Sequence, residues 1–157
     1  MNDPVVLPDI DPIDRLAILA AALPGCAVRR RRIAAPFDAV WRVVSDLESS
    51  APRYEPGLAH LRIVERRGEF LRLLVRDTDG REDAMDARLR PGWCVMQNAA
   101  IAIAFAARPV GDQTLLAHLE HQRARTPSPD PRAAAAKIDR ELEMIETLAI
   151  GPYPPNE

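Results

Sequence analysis

The chain is poor in the residues that usually mark specialised chemistry, with two cysteines, three histidines, two tryptophans, two tyrosines and three phenylalanines among 157 residues. Cys26 and Cys94 can close at most one bridge, which excludes a disulfide-stapled secreted scaffold and suits reduced thiols in a cytoplasm. His60, His118 and His121 lack cysteine or histidine partners at zinc spacing, so no metal is expected. There is no glycine-rich phosphate loop and no Gly-x-Ser-x-Gly nucleophile motif, and no cofactor is expected. Lysine is nearly missing: Lys137 stands alone among the arginines, and a net charge of −2 offers nucleic acid no global attraction. The excess of arginine and alanine reads as GC-rich bacterial coding. Trp41 and Trp93 read as core or pocket wall, not as stacking platforms for bases.

Long apolar runs are also lacking. Leu16 to Leu23 is too short to cross a bilayer. Pro24-Gly25-Cys26 behind it imitates a lipoprotein signal, yet Asp3, Asp9, Asp11 and Asp14 against the single Arg15 reverse the charge of a signal n-region. A soluble, cytoplasmic chain without stable membrane insertion is the expectation.

What is present is an amphipathic pattern of one domain's length. From Arg32 to Leu47 a strand passes through a small-residue and proline step into a helix. Pro36 suits a helix start, where its missing N–H costs least, and Phe37, Val40, Trp41, Val44 and Leu47 then form one apolar face. This segment, with its alanine-proline step, Val-Trp and terminal Ser-Asp-Leu, resembles the opening of the START-like (SRPBCC) superfamily, which includes polyketide cyclases/dehydrases and Bet v 1-type proteins. The Pro91-Gly92-Trp93 and Gly111 to Thr114 turns extend the resemblance over roughly Ala27 to Ile150. It implies an α+β helix-grip fold: a curved antiparallel sheet of six to seven strands wrapped around a long C-terminal helix, with a cavity between them.

The rest of the pattern agrees with that order. Residues 1–25 read as an N-terminal extension, 26–151 as the ligand-binding domain and 152–157 as a tail. In the extension, Asp11-Pro12 marks a helix start, and Ile13, Leu16, Ala17, Ala20 and Leu23 form an apolar stripe ended by Pro24-Gly25. Such a stripe is poorly suited to water and should dock on the domain or on a partner subunit. Strands are expected over Ala27–Ile33, His60–Arg66, Phe70–Asp77, Asp83–Arg90, Trp93–Asn98, Ala100–Arg108 and Leu115–Arg123, with a loop or short helix over Ser49–Gly57. Turn signals at Arg67-Gly68, Asp79-Gly80, Pro91-Gly92 and Pro109–Thr114 separate neighbouring strands. The residues Arg125 to Asp130 read as a linker. Asp130-Pro131 then caps a final helix with Ala134, Ile138, Leu142, Ile145, Leu148 and Ala149 inward and Gly151-Pro152 as its stop.

Strand parity decides which side chains can meet a ligand. Leu71, Leu73 and Val75, then Met85, Ala87 and Leu89, then Ile101, Ile103 and Phe105 face inward, which predicts a dry, aliphatic pocket with few directional groups. The last strand admits two registers. Hydropathy turns Leu115, Ala117 and Leu119 inward; the resemblance implies Leu116, His118 and Glu120 instead. The second register leaves Ala102, Ala104, Ala106, Ala117 and Leu119 as an apolar convex surface, to be covered by the extra helix or by a second subunit in a homodimer. It also makes His118 and Glu120 a polar pair suited to proton transfer or to holding a ligand. Their alternative is an exposed strand edge. Within the run Arg29–Arg32, Arg31 shares parity with Ile33 and is the member placed to reach the cavity and neutralise an acidic ligand, while a solvated face is the simpler reading of the run. Glu141 lies along the stripe of the final helix, either pointing inward or on an exposed rim.

The resulting expectation is a protein that binds a small hydrophobic, lipid-like or polyketide-like molecule through Arg31, Leu73, Met85, Ile103, Phe105, His118, Glu120 and Glu141. The alternative is an aromatase/cyclase or dehydratase using His118 and Glu120 for acid/base chemistry, and a third class is an interaction module using the convex face. Catalytic residues of the superfamily's cyclases have no counterpart motif here.

Overall fold

The computed structural model describes residues 9–123 and 130–152. Most of the expected Arg125–Asp130 linker, with Pro127 and Pro129, lies outside the described residues. The elements follow in the order α1 (Pro12–Ala22), β1 (Ala27–Ile33), α2 (Phe37–Ser45), α3 (Ala51–Tyr54), β2 (Leu58–Arg67), β3 (Phe70–Asp77), β4 (Glu82–Arg90), β5 (Trp93–Gln97), β6 (Ile101–Val110), β7 (Gln113–Gln122) and α4 (Pro131–Ile150). The strands form one antiparallel sheet in the order β1-β7-β6-β5-β4-β3-β2. Strands β2 to β7 are a meander, and α2 and α3 carry the chain between the two edge strands, β1 and β2. This is a curved α+β helix grip with an added N-terminal helix.

Local chemistry sets the boundaries. Asp11 caps α1 by accepting from the backbone N–H groups of Ile13 and Asp14, and Asp130 caps α4 by accepting from Arg132; each satisfies donors that a helix start leaves free. The β4–β5 turn needs glycine: Gly92 has φ +78°, and a Cβ there would meet the Ala107 carbonyl oxygen at 2.8 Å. Between β5 and β6 no glycine or proline is required, because Asn98 Oδ1 accepts from the N–H groups of Ala100 and Ile101 and turns the chain itself. Two register shifts bend β2, between Leu58 and His60 and between Ile63 and Glu65.

Two apolar layers result, one on each face of the sheet. On the concave face α2, α3 and α4 pack over β1–β7, burying Val40, Val44 and Leu47 with Leu73, Phe105 and Leu116 and with Ile138, Leu142 and Ile145 of α4. On the convex face Ile13 and Leu16 of α1 pack on Trp93, Ala104, Ala106, Ala117 and Leu119. The register of β7 follows: Leu116 belongs to the concave core, Ala117 and Leu119 to the convex one. The hydropathy register, with Leu115, Ala117 and Leu119 inward, is therefore wrong. It fails because α1 makes the nominal outside of β7 as apolar as its inside, so alternation carries no sign. The convex surface thus has its cover within the chain, and the apolar side chains that suggested a homodimer or an interaction module there are already buried.

Candidate functional site

A cavity of about 550 Å³ lies between the sheet and the helices on its concave face. Leu61 of β2, Val75 of β3, Met85 of β4, Met96 of β5 and Ile103 and Phe105 of β6 form an apolar wall, and the β3–β4 hairpin contributes Asp77, Asp79, Arg81 and Asp83 to its rim. Its remaining wall includes charged groups. Glu55, which follows α3, lines it together with His118 and Glu120 of β7 and Lys137 of α4. The dry pocket predicted from strand parity is corrected here: parity reports the strands, whereas the polar groups arrive from α3, α4 and the last strand.

Side-chain positions follow from pairing. Phe105 is the cross-strand partner of His118, and Ile103 of Glu120; the Phe105 and His118 rings stack with centroids 3.9 Å apart. Tyr54 meets Phe105 edge-on at 5.8 Å. His118 Nδ1 lies 3.0 Å from the Ala104 carbonyl oxygen and Nε2 lies 2.6 Å from Glu141 Oε2. A carbonyl only accepts, so Nδ1 carries a proton. Glu141 in turn receives Lys137 Nζ at 2.5 Å on its other oxygen, which favours the carboxylate, so Nε2 carries a proton too and His118 is an imidazolium. Burial alone would push His118 down; the hydrogen bonds and charges of Glu120 and Glu141 outweigh it and hold the group up at about 9. Glu141 is held at about 2, burial being overcome chiefly by its bond to His118.

Lys137 is the hub. Its ammonium donates to Glu55 Oε2 at 2.9 Å, to Glu120 Oε1 at 2.8 Å and to Glu141. Burial opposes its charge, but Glu120 and Glu141 raise its pKa well above the usual lysine value. It is therefore no amine nucleophile, and Schiff-base chemistry needs a neutral amine. Glu55 behaves in the opposite way: burial and the neighbouring Glu141 raise it to about 7 against the pull of Lys137. It is the group of the cluster that can take up and release a proton near neutrality. The ligand atoms of His118, Glu120 and Glu141 lie within 4.8 Å of one another, the dimensions of a metal site. Two of these donors are already engaged, however: Lys137 donates to both Glu120 and Glu141 and His118 Nε2 carries a proton, so a metal would have to displace the ammonium and that proton.

The expected site residues divide accordingly. Met85, Ile103, Phe105, His118 and Glu120 line the cavity. Glu141 stands behind His118, 1% exposed, so the rim position is excluded. Leu73 is 0% exposed in the solid core and does not line the cavity. Arg31 is also corrected: its guanidinium pairs with Glu146 of α4 at 2.9 Å, and Glu146 also accepts from the Ala34 N–H. Arg29 pairs likewise with Asp139, so the two arginines on this face of β1, Arg29 and Arg31, clip the flank of α4, while Arg30 and Arg32 are exposed. Reading the sequence alone missed Lys137 and Glu55. A signal existed for Lys137, which sits four residues before Glu141 on the same helix face; the proline-bounded segment carrying Glu55 offered none.

No family model matches the sequence, and no curated protein matches it. Solved structures do. A Thermus thermophilus protein superposes with a TM-score of 0.63 at 16% identity, covering 80% of this chain and 97% of that one. The Zhui aromatase/cyclase of a Streptomyces species gives 0.55 at 16% identity, covering 79% and 92%, and a START superfamily protein from Mycobacterium smegmatis gives 0.52 at 20% identity, covering 78% and 92%. At these identities the likeness concerns the fold, which is the START-like helix grip. Among the described residues no helix is long and apolar enough to cross a membrane.

Proposed function

We propose that this chain binds a small, largely apolar molecule in the cavity between the sheet and α4, with the apolar body on Met85, Met96, Ile103 and Phe105 and a polar group turned toward Glu55 and Glu120. The observation that carries the reading is a solvent-connected space of about 550 Å³ in which an apolar wall faces convergent buried polar groups, the usual composition of a ligand site. Two free cysteines, Cys26 and Cys94, suit the cytoplasm as its place of action. An environment-sensitive apolar dye should bind at one per chain and be displaced by aromatic or lipid-like compounds. Ile103→Trp, which fills the cavity from a half-buried position, should weaken dye binding by at least tenfold with little change in melting. Equal dye binding by the variant would remove the cavity as the site.

A second reading, acid/base catalysis on a polyketide-like substrate, is favoured by Glu55. A carboxyl group held at about 7 beside an ion-paired lysine is poised to exchange protons with an enolisable carbon or a carbonyl oxygen. It takes the role expected of His118, which is held as an imidazolium by Glu141. The aromatase/cyclase Zhui is a structural neighbour at 16% identity, and its likeness adds only that this scaffold can host such chemistry. Glu55→Gln separates the two readings: turnover of a substrate should fall roughly a hundredfold or more if Glu55 transfers the proton, whereas a carrier has no turnover to lose.

A further inference from the structure

We infer that the ligand carries a cationic amine and not an acidic group, an assignment of ligand class that rests on the cavity-binding reading above. Both cations of the buried cluster have used all their donors. The three protons of Lys137 meet Glu55, Glu120 and Glu141, and the two N–H groups of His118 meet Ala104 and Glu141. A carboxylate or phosphate that reaches the cluster finds no free charged donor there, the Tyr54 hydroxyl beside it, unpartnered among the described residues, being neutral and able to accept as well as donate. Each bond it took from Lys137 or His118 would orphan a buried carboxylate.

Acceptors are in surplus. Three carboxylates stand against two cations in the cluster, and Glu120 takes both Lys137 and His118 on Oε1, which leaves its Oε2 at the cavity wall with no hydrogen bond among the described residues and open to an entering donor. The approach has the same sign, because Asp77, Asp79 and Asp83 outnumber Arg81 at the rim. An ammonium attached to an apolar body satisfies both features: the body covers the Met85, Ile103 and Phe105 wall, and the cation supplies Glu120 with the donor it lacks.

Three probes of nearly one shape test the charge alone: naphthylmethylamine, naphthylmethanol and naphthoate, titrated calorimetrically into the full chain at about pH 8, where the first is a cation and the last an anion. The amine should bind tightest and naphthoate weakest, with a ratio of roughly tenfold or more. Glu120→Gln should erase most of that ratio by weakening the amine far more than naphthylmethanol, and Asp83→Asn at the exposed rim should reduce it without touching the buried cluster. Naphthoate binding as tightly as the amine, or a ratio unmoved in both variants, overturns the ligand class while leaving the cavity reading intact. Failure of all three probes to bind, together with failure of the dye, overturns both.

Discussion

The Phe105 ring lies over the His118 imidazole at 3.9 Å between centroids and 2° from parallel, so a buried cation at the cavity wall has one face covered by an aromatic ring. That stack, with Glu141 and the Ala104 carbonyl on the two nitrogens, fixes His118 as a structural charge. Its proton should be hard to remove. Nitrogen NMR should show both ring nitrogens protonated at neutral pH and a titration near 9; a neutral imidazole at pH 7 would refute the assignment.

Stability should depend on pH with a sign that can be worked out group by group. His118, raised from 6.5 to about 9, contributes stability that is complete below about 6.5 and is lost as pH rises through 9. Glu55, raised from 4.5 to about 7, acts in the same sense, with its contribution lost as pH rises through 7. Glu141, lowered from 4.5 to about 2, contributes above about 4.5 and loses that contribution as pH falls through 2. Melting temperature should therefore peak near pH 4.5, decline from there to about 7 as Glu55 ionises, and decline further toward 9 as His118 loses its proton. A flat profile across that range, or a rise, would contradict the arrangement of charges.

Removing one partner of the buried pair should cost far more than removing both. Glu141→Ala strands His118 and part of Lys137 and should destabilise by about 3 to 5 kcal/mol, a fall in melting temperature on the order of 10 °C for a chain of this size. The double change His118→Phe with Glu141→Leu should lose less than the sum of the single changes. Additive losses in chemical denaturation would show that the two side chains do not act as a pair.

Lys137, the sole lysine, gives a chemical test of the cluster. Held in its ammonium form by three carboxylates, it should resist reductive methylation in the folded protein and react readily in denaturant. Mass spectrometry of the digested chain reads the site directly. Rapid modification of Lys137 under native conditions would mean that the cluster is open.

The docked N-terminal helix should matter for stability. Ile13 and Leu16 are 4% and 1% exposed, and burying two such side chains contributes about 1.5 to 3 kcal/mol each. Leu16→Asp should lower the melting temperature by several degrees and uncover the Ala104, Ala117 and Leu119 surface, which dye binding or aggregation would report. Unchanged melting and solubility would argue against docking.

Much of the fold could be read from the sequence because it rests on local signals: the Asp-Pro helix starts, the Pro36 step, the glycine turns, and strands β1 and β3, whose bounds agree with the expected ones. These depend on neighbours along the chain, and the chain states them directly. By itself the sequence determined the element order, the helix-grip class and the pairing of His118 with Glu120 on one strand face. Tertiary structure alone decided which face that was, since only the docking of α1 against Ala104, Ala117 and Leu119 makes the apolar side of β7 the outer one. It also decided the character of the site. Lys137, Glu55 and Glu141 come from α4 and the end of α3, outside β7, and their charges are tolerable in the interior only because the fold brings them within hydrogen-bond reach of one another. A buried charge is a property of its partners, and those partners are adjacent in space, not in sequence.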